Sequence, residues 1–497
     1  MRYRLLAAGM LVLLFACDSD VGEQPPLAPI ETAPHTAPVA TSSSVAPSTP
    51  TPTAKEPAPP NLIFFNGQVV TMEPDLRLAQ ALALRGDVIV AVGSDDEVIA
   101  LRGPETQLID LGGRALLPGF VDTHVHPFAV ERAISADSLD GGQQWLLAGG
   151  TTTVGETAVN PEKLDQILLA LESTNLRIRT SLYLTYNTKC KGLQPEDWYL
   201  DYPPLRDPTE MLRIPGIKIF GDAAGPLPLQ SCGWAAMSTL LPPQLVEAVG
   251  SGPYGDLLLS EEELAQVIAE HQALGYQVII HARGDVVVET ALNAIESALA
   301  GQPNTFRHRI EHNDFIRPDL LTRYGELGVL PTIRGQPAAC LMNRFDGSHW
   351  LGEEVNPWFQ VARSLLDANP DLPVAWHSDA GHTGRRPINE LYDFVTRRQI
   401  NPDDGSVCEP PKWLAAEAVS VEEALRLMTI NAAYALFMED KVGSIKPGKF
   451  ADLIILSENP LAVDPDEIVN IEVVMTMVGG KVEHCLEGHE TLCAFDD

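Results

Sequence analysis

The sequence predicts an α/β protein: a (β/α)8 TIM-like barrel carrying a small β-sandwich domain formed from both ends of the folded region. Three observations predict it. Eight short apolar segments between residues 114 and 379 alternate with helical patterns. β-rich stretches with glycine turns flank that region on both sides. Histidine, lysine and aspartate recur at the ends of the apolar segments, where a barrel of parallel strands gathers its chemistry.

The chain has 497 residues and 45% hydrophobic content, enough to bury a large core. Its formal net charge is -33, from 34 Lys+Arg against 67 Asp+Glu, and no basic cluster interrupts it. Such a chain repels nucleic acid and anionic headgroups, so the expected partner is a small molecule; the oligomeric state is left open.

Residues 1–17 read as an address. Arg2 and Arg4 precede the apolar run "LLAAGMLVLLFA", short for a bilayer span and laid out as a secretory signal. The run ends in Leu14-Phe15-Ala16-Cys17, which resembles a bacterial lipobox with Cys17 as the lipidated residue. An ordinary signal peptide with an incidental cysteine fits the same residues. The expectation is an exported bacterial lipoprotein, periplasmic or on the cell surface, touching membrane only through its lipid. Residues 18–60 are rich in Pro, Ser, Thr and Ala, with no periodic apolar face, and read as a linker.

Residues 61–114 and 440–497 supply the sandwich. In the first segment "NLIFF" and "QVVTM" flank Asn66-Gly67, a two-residue hairpin signal; in the second "FADLIIL" and "EVVMTMVGGKVEH" contain Gly479-Gly480. Residues 115–439 form the barrel. Its unit is clearest at 260–281, where Ser260 and Glu263 make a capping box and Leu264, Val267, Ile268 and Leu274 share a helix face. Gly275 stops that helix, and "YQVII" follows as a buried strand. The eight candidate strands are "RALLPGFVDTHVH", "GTTTVGE", "RTSLYLTY", "GIKIFGD", "YQVIIHA", "RHRIEH", "GVLPTI" and "PVAWHSD". A doubly wound open sheet is the alternative, and no Gly-rich phosphate loop supports it.

In a strand, residues i and i+2 face the same way, so Asp122, His124 and His126 are expected to face the barrel interior together. A His-x-His alone fits a structural role as well as a metal. Lys218, His281, His312 and Asp379 stand at the ends of four further strands, and six ligand-type residues so placed point to a metal. His308, facing the same way as His312 but a strand repeat deeper, reads as a packed structural histidine. His377 and Glu156 receive no role.

With these motifs the chain resembles the metal-dependent amidohydrolases, in particular the branch that includes N-substituted formamide deformylase (amidohydrolase family 3). The resemblance runs through "PGFVDTHVH", "IKIFGD", "IHARGD", "RIEH", "HSDAG", "SVEEALRLMTINAA" and "GSIKPGKFADLIIL". It implies a hydrolase of non-peptide C–N bonds and one or two divalent metal ions, zinc first. His124 and His126 would hold one ion, a carboxylated Lys218 would bridge, His281 and His312 would hold the second, and Asp379 would touch the metal and shuttle protons. A lysine ammonium has no lone pair to offer a metal, whereas its carbamate has two oxygens; a buried ion pair with Asp222 or another acid is the other reading of Lys218. Arg283 and Arg334, unusual for the branch, are candidate contacts for a substrate carboxylate, with ion pairing at the surface or behind the site as their other reading; His382 is a further candidate substrate contact. A deaminase of the superfamily would carry Glu where Gly284 stands. A lactone, phosphotriester or carbon-halogen hydrolase on the same metals, or a lipid-anchored binding protein with a vestigial site, remain as rivals.

Apart from Cys17, six cysteines remain in a chain read as exported. Position in the loops and tail suggests Cys190–Cys232, Cys340–Cys408 and Cys485–Cys493 among fifteen connectivities, with free, buried thiols as the other reading for several of them.

Overall fold

The computed structural model describes residues 58–74, 78–128, 134–188, 192–195, 197–223, 235–241, 246–247, 252–336, 339–340, 352–381, 386–401 and 404–495. Cys17, Cys190, Cys232 and His382 lie outside them. Residues 58–497 form one compact unit.

Eight parallel strands make the central sheet, nearly closed into a barrel. In chain order they are β1 (Phe120–Val125), β2 (Thr151–Val159), β3 (Arg179–Thr185), β4 (Leu212–Phe220), β5 (Gln277–Ala282), β6 (Arg309–His312), β7 (Leu330–Ile333) and β8 (Ala375–Trp376). Each pairs with the next. The seam between β8 and β1 is closed by scattered bonds: Thr123 Oγ1 donates to Trp376 O at 2.7 Å, and Asp379 N to His124 O at 3.0 Å.

Alternation along the strands sorts side chains into two layers. Ile217, Ile219, Val278, Ile280 and Ile310 pack outward against the helices. Val121, Tyr183, Ile279, Leu330 and Ala375 fill the interior floor against the helix Ile430–Ala435. Each such fully buried aliphatic side chain stabilises the fold by about 1.5–3 kcal/mol. The floor is polar where that helix ends: Arg213 Nη1 donates to Leu436 O, and Arg309 Nη1 and Gln277 Nε2 donate to Ala435 O, satisfying carbonyls the helix leaves free.

The helix Glu261–Ala273 has the expected capping box between Ser260 and Glu263, and Leu264, Val267 and Ile268 are buried. Leu274 is a correction: it is the C-cap, 46% exposed, because the turn into Gly275 (φ +91) carries it off the apolar face.

Two further sheets form the sandwich. Leu62–Phe65, Ala81–Arg85, Val88–Gly93 and Gln107–Asp110 make one. Gln68–Val70, Leu78–Ala79, Ala115–Pro118, Leu453–Leu456, Val473–Val478 and Lys481–Cys485 make the other. Phe64, Leu82 and Leu84 from the first share a core with Leu116, Ile455 and Met475 from the second. Gly479-Gly480 turns a true hairpin. Asn66-Gly67 does not: the strands on either side belong to different sheets, so this turn carries the chain across the sandwich.

The segment read as one strand, "RALLPGFVDTHVH", is two. Ala115–Pro118 pairs with Leu453–Leu456 in the sandwich, and β1 begins after Gly119. A Cβ on Gly119 would lie 2.2 Å from the Thr152 side chain, so only glycine fits where the chain crosses between layers. Arg179 Nε to Asp452 Oδ2 at 2.7 Å, both buried, fastens sandwich to barrel.

Candidate active site

The site lies at the C-terminal ends of β1, β4, β5, β6 and β8. β1 presents His124 and His126, and Asp379 follows β8. Asp379 Oδ1 stands 3.4 Å from His126 Nε2 and 3.7 Å from His124 Nε2. The opposite ring nitrogens are held from behind. His124 Nδ1 meets Glu311 Oε2 at 2.7 Å, and His126 Nδ1 meets Glu156 Oε1 at 3.1 Å. Glu311 also accepts from Arg309 Nε at 2.7 Å, and Glu156 from Lys163 Nζ at 2.9 Å. Burial pushes the Glu156 carboxyl up, but Lys163 and His126 outweigh it and hold it at about 2. Carboxylates so paired accept hydrogen bonds, which puts a hydrogen on each Nδ1 and turns each Nε2 toward Asp379.

Asp122 is a correction. It does not face inward with the two histidines: Ser378 N donates to its Oδ1 at 3.0 Å, and it borders Trp145, Leu146 and Gly149. The pairing register of β1 shifts between Asp122 and Val125, which breaks the alternation. Burial raises the Asp122 carboxyl to about 7.

His281 on β5 and His312 on β6 stand with ring centroids 4.4 Å apart, and His312 is 4.8 Å from His124. Strict alternation would turn His312 outward with Ile310, since Arg309 and Glu311 take the inward positions. Its left-handed backbone, φ +73, swings the ring back into the site. Asp379 sits in the same uncommon region at φ +54. His308, 0% exposed, faces the helix layer, accepting from Val278 N at 2.9 Å and meeting Gln272 at 3.0 Å. It is structural, but on the other face from His312.

Lys218 is 1% exposed and its Nζ has no hydrogen-bond partner. Burial lowers its pKa to about 8. No ion pair forms with Asp222, whose carboxylate accepts instead from the backbone of Ala236, Arg283 and Gly284 at 3.0–3.3 Å. Burial, with Lys218 next, holds His124 and His281 well below the usual imidazole range; His312 is lowered by burial and by its neighbouring histidines. His126 goes the other way: burial opposes its charge, but Asp379 and Glu156 outweigh burial.

These donors fit a divalent cation. Nitrogen and oxygen atoms of His124, His126 and Asp379 lie within 4.8 Å of one another, as do those of His124, His312 and His377. Neutral imidazoles with a carboxylate are the set zinc takes in catalytic sites. His377, without a role in the sequence reading, stacks on His124 at 5.0 Å, and neither of its ring nitrogens has a hydrogen-bond partner.

The architecture and this donor set agree with what the chain matches. A model described as the amidohydrolase family matches residues 135–484. The chain belongs to the amidohydrolase family. N-substituted formamide deformylase of Arthrobacter pascens is 27% identical over 547 residues, spanning 85% of this chain and 98% of that protein. Imidazolonepropionase of Symbiobacterium thermophilum is 27% identical over 431 residues, spanning 80% and 90%. Among solved structures, a metal-dependent hydrolase from Pyrococcus furiosus shares the fold with a TM-score of 0.63 at 20% identity, covering 80% of this chain and 99% of that one.

In this amidohydrolase the two arginines singled out by sequence share one partner. Arg283 Nε and Nη2 both reach Asp314 Oδ2, and Arg334 Nη2 lies 3.3 Å from Asp314 Oδ1. Arg334 Nη1 is 3.5 Å from Asp379 Oδ2. Burial raises the Asp314 carboxyl, but Arg283 and Arg334 outweigh it and hold it low. Glu311, Glu156, Lys163 and Asp314 were missed in the sequence. No motif spacing marks them, although Glu311 and Asp314 closely flank His312.

Cys340 is bonded to Cys408, and Cys485 to Cys493. The first ties Cys340, seven residues past β7, to the short strand Val407–Cys408. The second ties the last sandwich strand to the tail.

Proposed function

We propose that this amidohydrolase is a metal-dependent hydrolase of a non-peptide C–N bond in a small molecule: an amide, N-acyl, N-formyl or cyclic amide. The observation that carries this is the convergence of His124 Nε2 and His126 Nε2 on Asp379 Oδ1, beside the buried His281, His312 and unpartnered Lys218. A divalent cation bound there, zinc first, would polarise the substrate carbonyl, acidify a water and stabilise the charge that develops on oxygen. The protein's own groups do the rest. Glu311 and Glu156 fix the two histidines in one tautomer. Asp379 accepts a proton from the attacking water and delivers it to the departing nitrogen. Lys218, with its pKa at about 8, holds a usable fraction of neutral amine, the form that reacts with carbon dioxide to give a carbamate.

The relatives support the bond class: one is named for deformylating N-substituted formamides, another for imidazolonepropionate. The test is a screen of the metal-loaded full chain against N-acyl, N-formyl and cyclic amide panels, with Asp379→Asn as its control. That variant keeps most of its metal and loses 10²–10⁴-fold in kcat. Wild-type turnover in Asp379→Asn refutes the proton-shuttle role. For location we propose export and lipid anchoring at Cys17; Cys17→Ala should then shift the protein from the membrane to the soluble fraction.

A further inference from the structure

The geometry points to a carboxylate-binding subsite at the mouth of this site, formed by Arg283 and Arg334 braced on Asp314, so that the substrate carries a free carboxylate beside the scissile C–N bond. It rests on the reading above for the reaction and names the substrate class. Arg283 directly follows β5, Asp314 lies two residues past His312 on β6, and Arg334 directly follows β7. Three neighbouring strand ends thus bring two guanidinium forks to one carboxylate. Arg283 and Arg334 keep 13% and 15% of their side chains exposed while Asp314 keeps 2%, so the cations are the more accessible partners and their anchor is buried.

Counting donors and charge shows what is left for a ligand. Two guanidiniums bring ten N–H groups to an acceptor with two oxygens. Arg334 Nε is buried and makes no hydrogen bond. Asp314 offsets one of the two positive charges, and Asp379 and Glu390 near Arg334, with Asp222 near Arg283, oppose part of the other at longer range. Asp379 reaches Arg334 only through a long 3.5 Å contact of Oδ2, while its Oδ1 faces the histidines. In a chain of net charge -33 this paired cation is a local feature. The planar forks match a planar carboxylate, and Asp314 holds them in place before a ligand arrives. Two strand residues, about 7 Å, separate Arg283 from His281, so a carboxylate held here sits one short linker from the reacting bond.

The test uses zinc-loaded full-length protein and matched probes: N-formyl- and N-acetyl-amino acids against their primary amides. Binding is followed by calorimetry and turnover in parallel. The acids should bind on the order of 10–100-fold more tightly than the amides. Arg283→Met should erase that preference with metal content unchanged, while lowering the thermal midpoint because the buried Asp314 loses one of its two cations. Arg283→Lys should restore only part of it, keeping the charge without the fork. Equal binding of acid and amide by the wild type, an unchanged preference in Arg283→Met, or no binding of any acid would overturn the subsite. Acids bound with an Arg283-dependent preference but never cleaved would refute the hydrolysis reading and leave the subsite standing. Amides cleaved without regard to charge would do the reverse.

Discussion

Lys218 makes the folded protein less stable than it could be, and the size of that penalty follows from its surroundings. The ammonium is buried without a hydrogen bond, and burial lowers its pKa from 10.5 to about 8. Lys218→Met keeps the apolar stem and deletes the charge. Below pH 8 the wild-type lysine is charged in both folded and unfolded chains, and the fall from 10.5 to about 8 corresponds to about 3 kcal/mol against the fold. Between pH 8 and 10.5 the unfolded chain binds more protons than the folded one, so wild-type stability rises with pH through that window. Chelator-treated, carbon dioxide-free Lys218→Met should therefore be more stable than wild type by about 3 kcal/mol at pH 6.5, with the gap closing toward pH 10.5. Urea unfolding followed by tryptophan fluorescence at both pH values measures it. A variant no more stable at pH 6.5, or a gap that does not change with pH, refutes the reasoning. The same variant should bind less metal, which would make Lys218 a group retained for function at the expense of stability.

Glu311→Gln, which weakens the hold on His124 Nδ1, should lower metal affinity on the order of 10–100-fold, measured by competition with a chromophoric chelator, and also cost stability because buried Arg309 loses its carboxylate. Gly381→Ala should impair metal binding more than stability elsewhere: at φ +100 a Cβ would lie 2.4 Å from the His126 carbonyl oxygen, so the His126 backbone has to move. Metal content of the purified variant reads this directly, and a wild-type stoichiometry would contradict it. On denatured, unreduced protein, Cys340, Cys408, Cys485 and Cys493 should not react with a thiol reagent. Reducing the Cys340–Cys408 bond should destabilise the protein by about 4 kcal/mol, since it closes a 68-residue separation.

The sequence by itself determined the barrel, the sandwich and the candidate ligand set, because each is written in local pattern. Apolar runs of strand length alternate with a helix such as Glu261–Ala273, whose capping box is visible in four residues. A histidine at a strand's C-terminal end needs only the strand to place it, which is why His124, His126, His281 and His312 were legible. Orientation was not. Period-two alternation puts Asp122 with His124 and His308 with His312, and both pairings fail, one at a register shift in β1 and the other at a left-handed backbone at His312. Neither event has a local signature, since each is imposed by the neighbouring strands. Asn66-Gly67 shows the same limit: the dipeptide specifies a turn, and the sheets on either side decide that it links layers instead of closing a hairpin. Tertiary structure alone brought Glu311 to His124 across 187 residues and Glu156 to His126 across 30. It likewise set Arg283 and Arg334 on one aspartate. A carboxylate's role depends on which cation or imidazole the closed sheet delivers to it, and that delivery is a property of strand order and register that no short stretch of sequence contains.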